Sequence, residues 1–384
     1  MELFEGGKKM TVDLEEKVIQ TFQYLHQHPE ISWEEKNTTR YIKELLAASG
    51  CKVTVFPDCT GVVGEYGTGK NVPVVGIRAD MDALWQNVDG TFQANHSCGH
   101  DAHMAMVLGV LWKLEQHPEL ASKLRIKFIF QPAEETGEGA LKMVEKNVID
   151  DVDFLFGVHL RPGQEMKMGQ ASPVIVHGAT KVYEVEIRGE DAHGARPHLN
   201  VNAIEVGADI VHMLAKIHLN PQIPYSVKMT RFNAGGKSAN IIPGNAEFAL
   251  DLRAQTNEAM KELEKQVESI FAAIRTRYNI QLEVVNKHGI VAAIVNQEAT
   301  EIMKRAIIDV LGEEGLVSTL ITPGGDDFHF YTIKKADLKA TMLGLGCDLS
   351  PGLHHPHMTF KKEALIDGVN ILYRAILHTY QLTT

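Results

Sequence analysis

The sequence predicts an α/β fold: a doubly wound, mostly parallel sheet into which a ferredoxin-like βαββαβ domain is inserted. Three observations carry this. Short apolar runs alternate with helical patterns over the first 160 or so positions, as a parallel sheet with crossover helices requires. The pattern changes near Lys181 to strands with strict apolar/polar alternation. After about residue 289 the first pattern returns. The expected domains are 1–177 and 289–384, completing one sheet, with 178–288 spliced between them. A chain of 384 residues exceeds one ordinary core, so two domains are the natural division.

The elements follow in order. Leu14 to Ser49 is helical in pattern, broken at "HQHPEIS" by Pro29. Lys52–Phe56, Val62–Tyr66 and Val72–Ile77 read as strands. From Met104 to Gln116, Val107, Leu108, Leu111 and Leu114 share one helical face. "LRIKFIF" (124–130) reads as a buried strand, "ALKMVEKNVI" (140–149) as a helix and "FLFGV" (154–158) as a strand. In the insertion, "KVYEVEIRG" alternates, with Tyr183, Val185 and Ile187 on one side. A helix (202–217), strands at 225–232 and 246–253, a long amphipathic helix (257–278) and the strand "IQLEVV" complete the βαββαβ order. A helix (297–311), the strand "KATMLGLG" (339–346) and a helix near 361–380 close the chain.

Composition narrows the function classes. Lys+Arg 38 against Asp+Glu 49 leaves a net charge of −11, without a basic stripe, which argues against nucleic acid as a partner. No apolar run approaches the roughly 18 residues of a membrane span. The opening "MELFEGGKKMTVDLEEKV" has no apolar core segment, so no secretory leader is expected there. Cys51, Cys59, Cys98 and Cys347 form no disulfide framework and no CxxC pair, which suits a reducing, cytoplasmic setting.

Polar residues fall where the predicted strands end, the rim at which open α/β sheets bind ligands. "RADMDA" brings Asp80 and Asp82, "QPAEE" brings Glu134 and Glu135, His159 follows "FLFGV", and "LHHPH" brings His354, His355 and His357. "HSCGHDAH" (96–103) packs three histidines, a thiol and a carboxylate into eight positions before a helix. Thiolate, imidazole and carboxylate together suit zinc or a neighbouring borderline metal. The donors outnumber the needs of one tetrahedral ion, whereas two ions roughly 3.5–4 Å apart absorb them, with Cys98 available as a bridge. Of the Glu134–Glu135 doublet, one carboxylate can bind metal while the other takes a proton from water. That division of labour describes a hydrolase.

The motifs "LHQHPEIS", "RADMDAL", "HSCGHDAH", "QPAEE", "GVHL", "HGARPH", "NIIPG" and "LHHPH" occur in this order from about His26 to His357. With them the chain resembles the dinuclear-metal aminoacylase/carboxypeptidase family, in its N-acyl-amino-acid amidohydrolase branch of hippurate and auxin-conjugate hydrolases. The resemblance implies metal ligands at Cys98, His100, Glu135, His159 and His354, with Glu134 as general base. It implies two divalent ions per subunit, with zinc, manganese, cobalt and nickel all open, and a small N-acyl amino acid as substrate. The inserted domain is expected to act as a lid and a homodimer surface. His193 and Asn240 match lid positions that approach the substrate's scissile carbonyl and carboxylate. Three places depart from the family pattern: Trp85-Gln86-Asn87, Asp326, and Asn202 where Asp is common.

Each residue also has a plainer reading. Cys51, Cys59 and Cys347 have no polar company and read as buried thiols. Asp82 reads as a residue orienting a ligand histidine rather than as a ligand. His355 and His357 read as solvated or as outer support for a ligand, His26 and His28 as capping and packing at the helix break, and Asp326–Asp327 as loop support or help to the metal site. The competing functions are a dipeptide exopeptidase of the same family and a catalytically silent metal-binding relative.

Overall fold

A seven-stranded sheet organises the larger part of the computed structural model, which describes residues 13–382. Residues 1–12, where a leader was sought, lie outside the described part. The four central strands, Arg125–Gln131, Val74–Asp80, Phe154–Pro162 and Lys339–Leu349, run parallel to one another. Val62–Tyr66 and Lys52–Val55 add antiparallel strands beyond the first of these, and Ala171–Ser172 adds one beyond the last. The sheet is therefore mostly parallel in its buried middle and antiparallel at its margins. Val74–Asp80 is buried at every position, as a strand covered on both faces must be.

Two compact units are present. One comprises residues 13–175, Val295–Leu320 and 331–382; the other comprises Val176–Ile294 and Ile321–Phe330. The short second piece joins the inserted unit because Gly178 N–H donates to the carbonyls of Thr322 and Gly324, both at 3.0 Å.

In the larger unit, helices Leu14–Gln27, His100–Glu115 and Ala364–Thr379 pack on one another, and Gln297–Leu311 packs on the last. His100–Glu115 is buried on nearly all sides, Lys113 and Glu115 excepted. The single apolar face expected from Val107, Leu108, Leu111 and Leu114 is only part of its contact. The helix also begins earlier than its apolar pattern suggests, at His100. Gly99, at φ 89°, turns the chain into it, and His103 N–H bonds Gly99 O at 3.0 Å. A side chain at Gly99 would be strained at that φ and would bring a Cβ within 3.0 Å of Leu160 Cδ1.

In the other unit, the four antiparallel strands lie in the order Tyr225–Ala234, Ala246–Ala254, Ala179–Arg188, Gln281–Ile290. Helices Ala203–Leu214 and Asn257–Tyr278 cover the sheet, burying Val206, Ile210, Leu263, Val267 and Phe271 against Tyr183, Phe248 and Leu250. This is the ferredoxin-like arrangement. Asn202 caps the first of these helices by accepting from Ile204 N–H at 3.0 Å.

Candidate metal centre

The carboxyl ends of the parallel strands gather the candidate residues of the larger unit. Asp80 and His159 lie inside their strands, not beyond them, because pairing continues past the apolar runs: Asp80 lies opposite Gln131, and His159 opposite Gly344. Glu134 and Glu135 follow Gln131 on a turn that begins at Ala133, whose φ of 52° is left-handed. Two buried carboxylates hold this turn. Glu35 accepts from Ala133 N–H at 2.8 Å, while Asp82 accepts from Glu134 N–H at 3.1 Å and Glu135 N–H at 3.0 Å.

Cys98, His100, Glu134, Glu135, His159 and His354 meet in a small volume. Cys98 Sγ lies 3.6 Å from His159 Nε2 and 3.3 Å from His354 Nε2. His354 Nε2 is 3.5 Å from Glu135 Oε1, and His100 Nε2 is 3.9 Å from both Glu134 Oε2 and Glu135 Oε1. Three donor groups result: Cys98 with His100 and His159, Cys98 with Glu135 and His354, and His100 with Glu134 and Glu135. Two of them share Cys98.

The ring orientations fit a metal. His100 donates through Nδ1 to Asp82 O at 2.8 Å, and His159 through Nδ1 to Leu160 O at 2.7 Å. Each ring therefore turns Nε2 into the cluster. His100 Nε2 and Glu135 Oε1 are buried and have no hydrogen-bond partner among the described residues. Orphaned polar atoms of this kind are costly unless something else satisfies them, and a nitrogen, sulfur and oxygen donor set is what zinc and its neighbours take.

Electrostatics agree with that reading. Burial pushes the Cys98 thiol well above its ordinary range, and it pushes Glu135 up to about 7 against the lowering effect of His100. Burial alone would lower His100, but Asp80, Cys98 and the Asp82 hydrogen bond lift it well above the usual imidazole range. Its Nε2 thus takes either a proton or a cation. Burial, with the neighbouring His103 and Arg161, pushes His159 well below the usual imidazole range, and burial lowers His354 as well.

A buried network outside the donor set lay beyond what residue types announce. Asp80 Oδ1 accepts from His103 Nδ1 at 2.7 Å, and His103 Nε2 accepts from Leu160 N–H at 3.0 Å. Asp80 Oδ2 pairs with Arg78 at 2.6 Å, and Arg78 Nε donates to Gln131 Oε1 at 3.0 Å. Burial opposes ionisation of Asp80, yet the cationic neighbours, Arg78 among them, hold its carboxyl well below the usual range. The spacing of "RADMD" was the available signal, since Arg78, Asp80 and Asp82 share one side of an extended chain.

His355 and His357 are exposed. His26 donates to buried Asp101 at 2.7 Å and stacks on Phe22. In the inserted unit, His193 and Asn240 are exposed neighbours: Ala192–His193 pairs with Ile241–Ile242, and Gly194 N–H donates to Asn240 O at 2.7 Å. Asp326 accepts from Phe328 N–H at 2.9 Å, within its own loop.

The model of "Peptidase family M20/M25/M40" matches residues 76–378. A probable hydrolase of Synechocystis sp. is 28% identical over 391 residues, covering 97% of this chain and 98% of its own. N-acetyl-L-cysteine deacetylase of Bacillus subtilis is 28% identical over 374 residues, with 94% and 88% covered. Among solved structures, the YXEP protein of Bacillus subtilis, described as a dinuclear metal binding peptidase, superposes with a TM-score of 0.80 at 26% identity, covering 96% of this chain and 99% of that one. Matching over most of its length, the chain belongs to peptidase family M20/M25/M40 and is a metal-dependent hydrolase.

Proposed function

We propose that the chain hydrolyses the amide bond of N-acyl amino acids or related amide conjugates. Cys98, His100, Glu135, His159 and His354 would hold two divalent ions, with Cys98 shared between them, and Glu134 would carry the proton. The observation that supports this most directly is the convergence of these donors around the orphaned His100 Nε2, with Glu134 adjacent. The deacetylase activity named for the Bacillus relative favours an N-acyl substrate.

When bound, such ions supply Lewis acidity, polarising a carbonyl and making water easier to deprotonate. The chain's own residues do the rest. Glu134 takes a proton from the attacking water as the new C–O bond forms, then returns it to the amide nitrogen as the C–N bond breaks. Asp82 fixes the main chain of Glu134 and Glu135, so the carboxylate that moves the proton and the one that binds metal keep separate directions. His193 would serve the developing oxyanion and Asn240 the substrate carboxylate. The setting would be cytoplasmic, with a homodimer formed through the inserted unit, whose sheet ends in the Tyr225–Ala234 and Gln281–Ile290 strands.

The test is a substrate screen on protein stripped of metal and reloaded separately with zinc, manganese, cobalt or nickel. N-acetyl- and N-benzoyl-amino acids should be cleaved faster than unblocked dipeptides. Faster cleavage of dipeptides with every metal would assign an exopeptidase instead, and metal binding without any amide turnover would assign a silent relative.

A further inference from the structure

Trp85, Gln86 and Asn87 lie in a hairpin of two strands, Leu84–Val88 and Thr91–Asn95. Asp89 and Gly90 turn it with φ of 52° and 89°, the two positive values of a type I′ turn. Side-chain alternation sends Trp85 and Phe92 outward, each 60% exposed. It sends Gln86 the other way, toward the segment that carries His354.

Gln86 Nε2 donates to the carbonyl of His354 at 2.8 Å. Its Oε1 accepts from Ser97 Oγ at 2.8 Å and from Asn95 Nδ2 at 3.0 Å. These partners fix the amide's orientation, because turning it over would set donor against donor and carbonyl against carbonyl. Asn95 Nδ2 reaches Pro356 O at 3.0 Å, and His354 N–H donates to Ser97 O at 2.7 Å. Both main-chain polar groups of His354 are thus held from the hairpin and the segment just after it.

His354 needs that hold. Its φ of 62° is left-handed, a conformation that a residue with a side chain adopts only at some cost. Its side chain is half-exposed, so burial alone does not pin it. Yet its Nε2 lies within 3.3 Å of Cys98 Sγ and 3.5 Å of Glu135 Oε1. We infer that Gln86 is a positioning residue for the metal centre: it clamps the strained main chain of His354 so that the imidazole is already aimed at the cation it binds. This rests on the reading of His354 as a metal donor.

The experiment measures Zn²⁺ affinity by competition with a chelator on the full chain, for wild type, Gln86→Met, His354→Ala and the double variant. Methionine keeps the length of the side chain and removes both hydrogen-bonding functions. The expected results are a loss of about tenfold in affinity for one of the two ions in Q86M, the scale of an outer hydrogen-bond partner, a larger loss in H354A, and no further loss when the two are combined. Wild-type affinity in Q86M alongside a weakened H354A would overturn the positioning role and leave the ligand reading standing. Unchanged affinity in H354A would overturn the ligand reading itself. Additive losses in the double variant would show Gln86 acting elsewhere and overturn the inference. Should Q86M fail to fold, Ser97→Ala carries the same test: it frees one side of the Gln86 amide, and a several-fold weakening supports the clamp while wild-type affinity contradicts it.

Discussion

His354 Nε2 lies 3.3 Å from Cys98 Sγ although 256 positions separate the two residues. Only a sheet that returns the last parallel strand, Lys339–Leu349, beside Phe154–Pro162 brings the segment bearing His354 back to the start of the His100–Glu115 helix. The inserted unit lies between them in sequence without interrupting that pairing.

Glu134→Gln keeps the size and polarity of the side chain and removes its ability to take a proton. Turnover of an N-acyl amino acid should fall about 10²–10⁴-fold, while metal content, measured by elemental analysis, stays at the wild-type level. A variant that keeps its activity would remove Glu134 from the mechanism.

Cation binding should release protons. The metal-free Cys98 thiol and His100 imidazole both hold theirs above the ordinary pKa, so a metal must displace them at neutral pH. Calorimetric titration in buffers of different ionisation enthalpy should show net proton release, and affinity should rise with pH. Cys98→Ser, which replaces a soft thiolate by a poor ligand, should weaken binding and release fewer protons. Identical proton counts for wild type and variant would exclude Cys98 as a donor.

Asp80→Asn takes the negative charge out of a fully buried ion pair with Arg78 and disturbs the His103 hydrogen bond. Loss of one member of a fully buried pair typically costs about 3–5 kcal/mol. Urea unfolding of the metal-free protein should show a loss of this size. A change below about 1 kcal/mol, the worth of a surface pair, would mean that the network contributes little to the fold.

Glu35 supplies a pH-dependent term. It is completely buried, and burial raises its carboxyl to about 7 despite hydrogen bonds from Thr60 and Ala133. The folded state then binds this proton more tightly than the unfolded state does. Stability therefore falls, through this group, as pH rises from about 4.5, the unfolded value, through about 7. Glu35→Gln retains an acceptor for Ala133 N–H without a charge. It should match the wild type near pH 4.5 and exceed it at pH 8 by up to about 3 kcal/mol. Parallel stability curves for the two proteins across that range would contradict the buried-charge account.

The residues of the candidate cluster were legible because their chemistry is unusual for a core. Cys98, His100, Glu134, Glu135, His159 and His354 sit in short polar motifs beside apolar runs, and the run pattern already suggested one sheet edge. The residues that hold them in place were far less visible. Asp80 reaches His103 only through the packing of a strand on a helix, and Leu160 N–H completes that path from a third element. The hairpin carrying Gln86 leaves little trace in the pattern because its half-buried face mixes Leu84 and Val88 with Gln86 and Asn95 while Trp85 and Phe92 face outward, so "LWQNV" and "TFQAN" lack the apolar alternation that marks a half-buried strand. Asp89–Gly90 was the signal present, a dipeptide favoured in tight hairpin turns. The left-handed backbone of His354 has no counterpart in sequence, since neither Gly nor Asn marks the position.

Metal add-back against turnover tests the central claim most directly. Protein stripped by a chelator is titrated with the metal that best supports hydrolysis of an N-acyl amino acid, and bound ions and initial rate are read on the same samples. The expected result is negligible rate without metal, full rate at two ions per chain and a rate about 10²–10⁴-fold lower in Glu134→Gln at the same loading. Full rate in the stripped protein, or saturation of the donors with no hydrolysis of any amide, would contradict it.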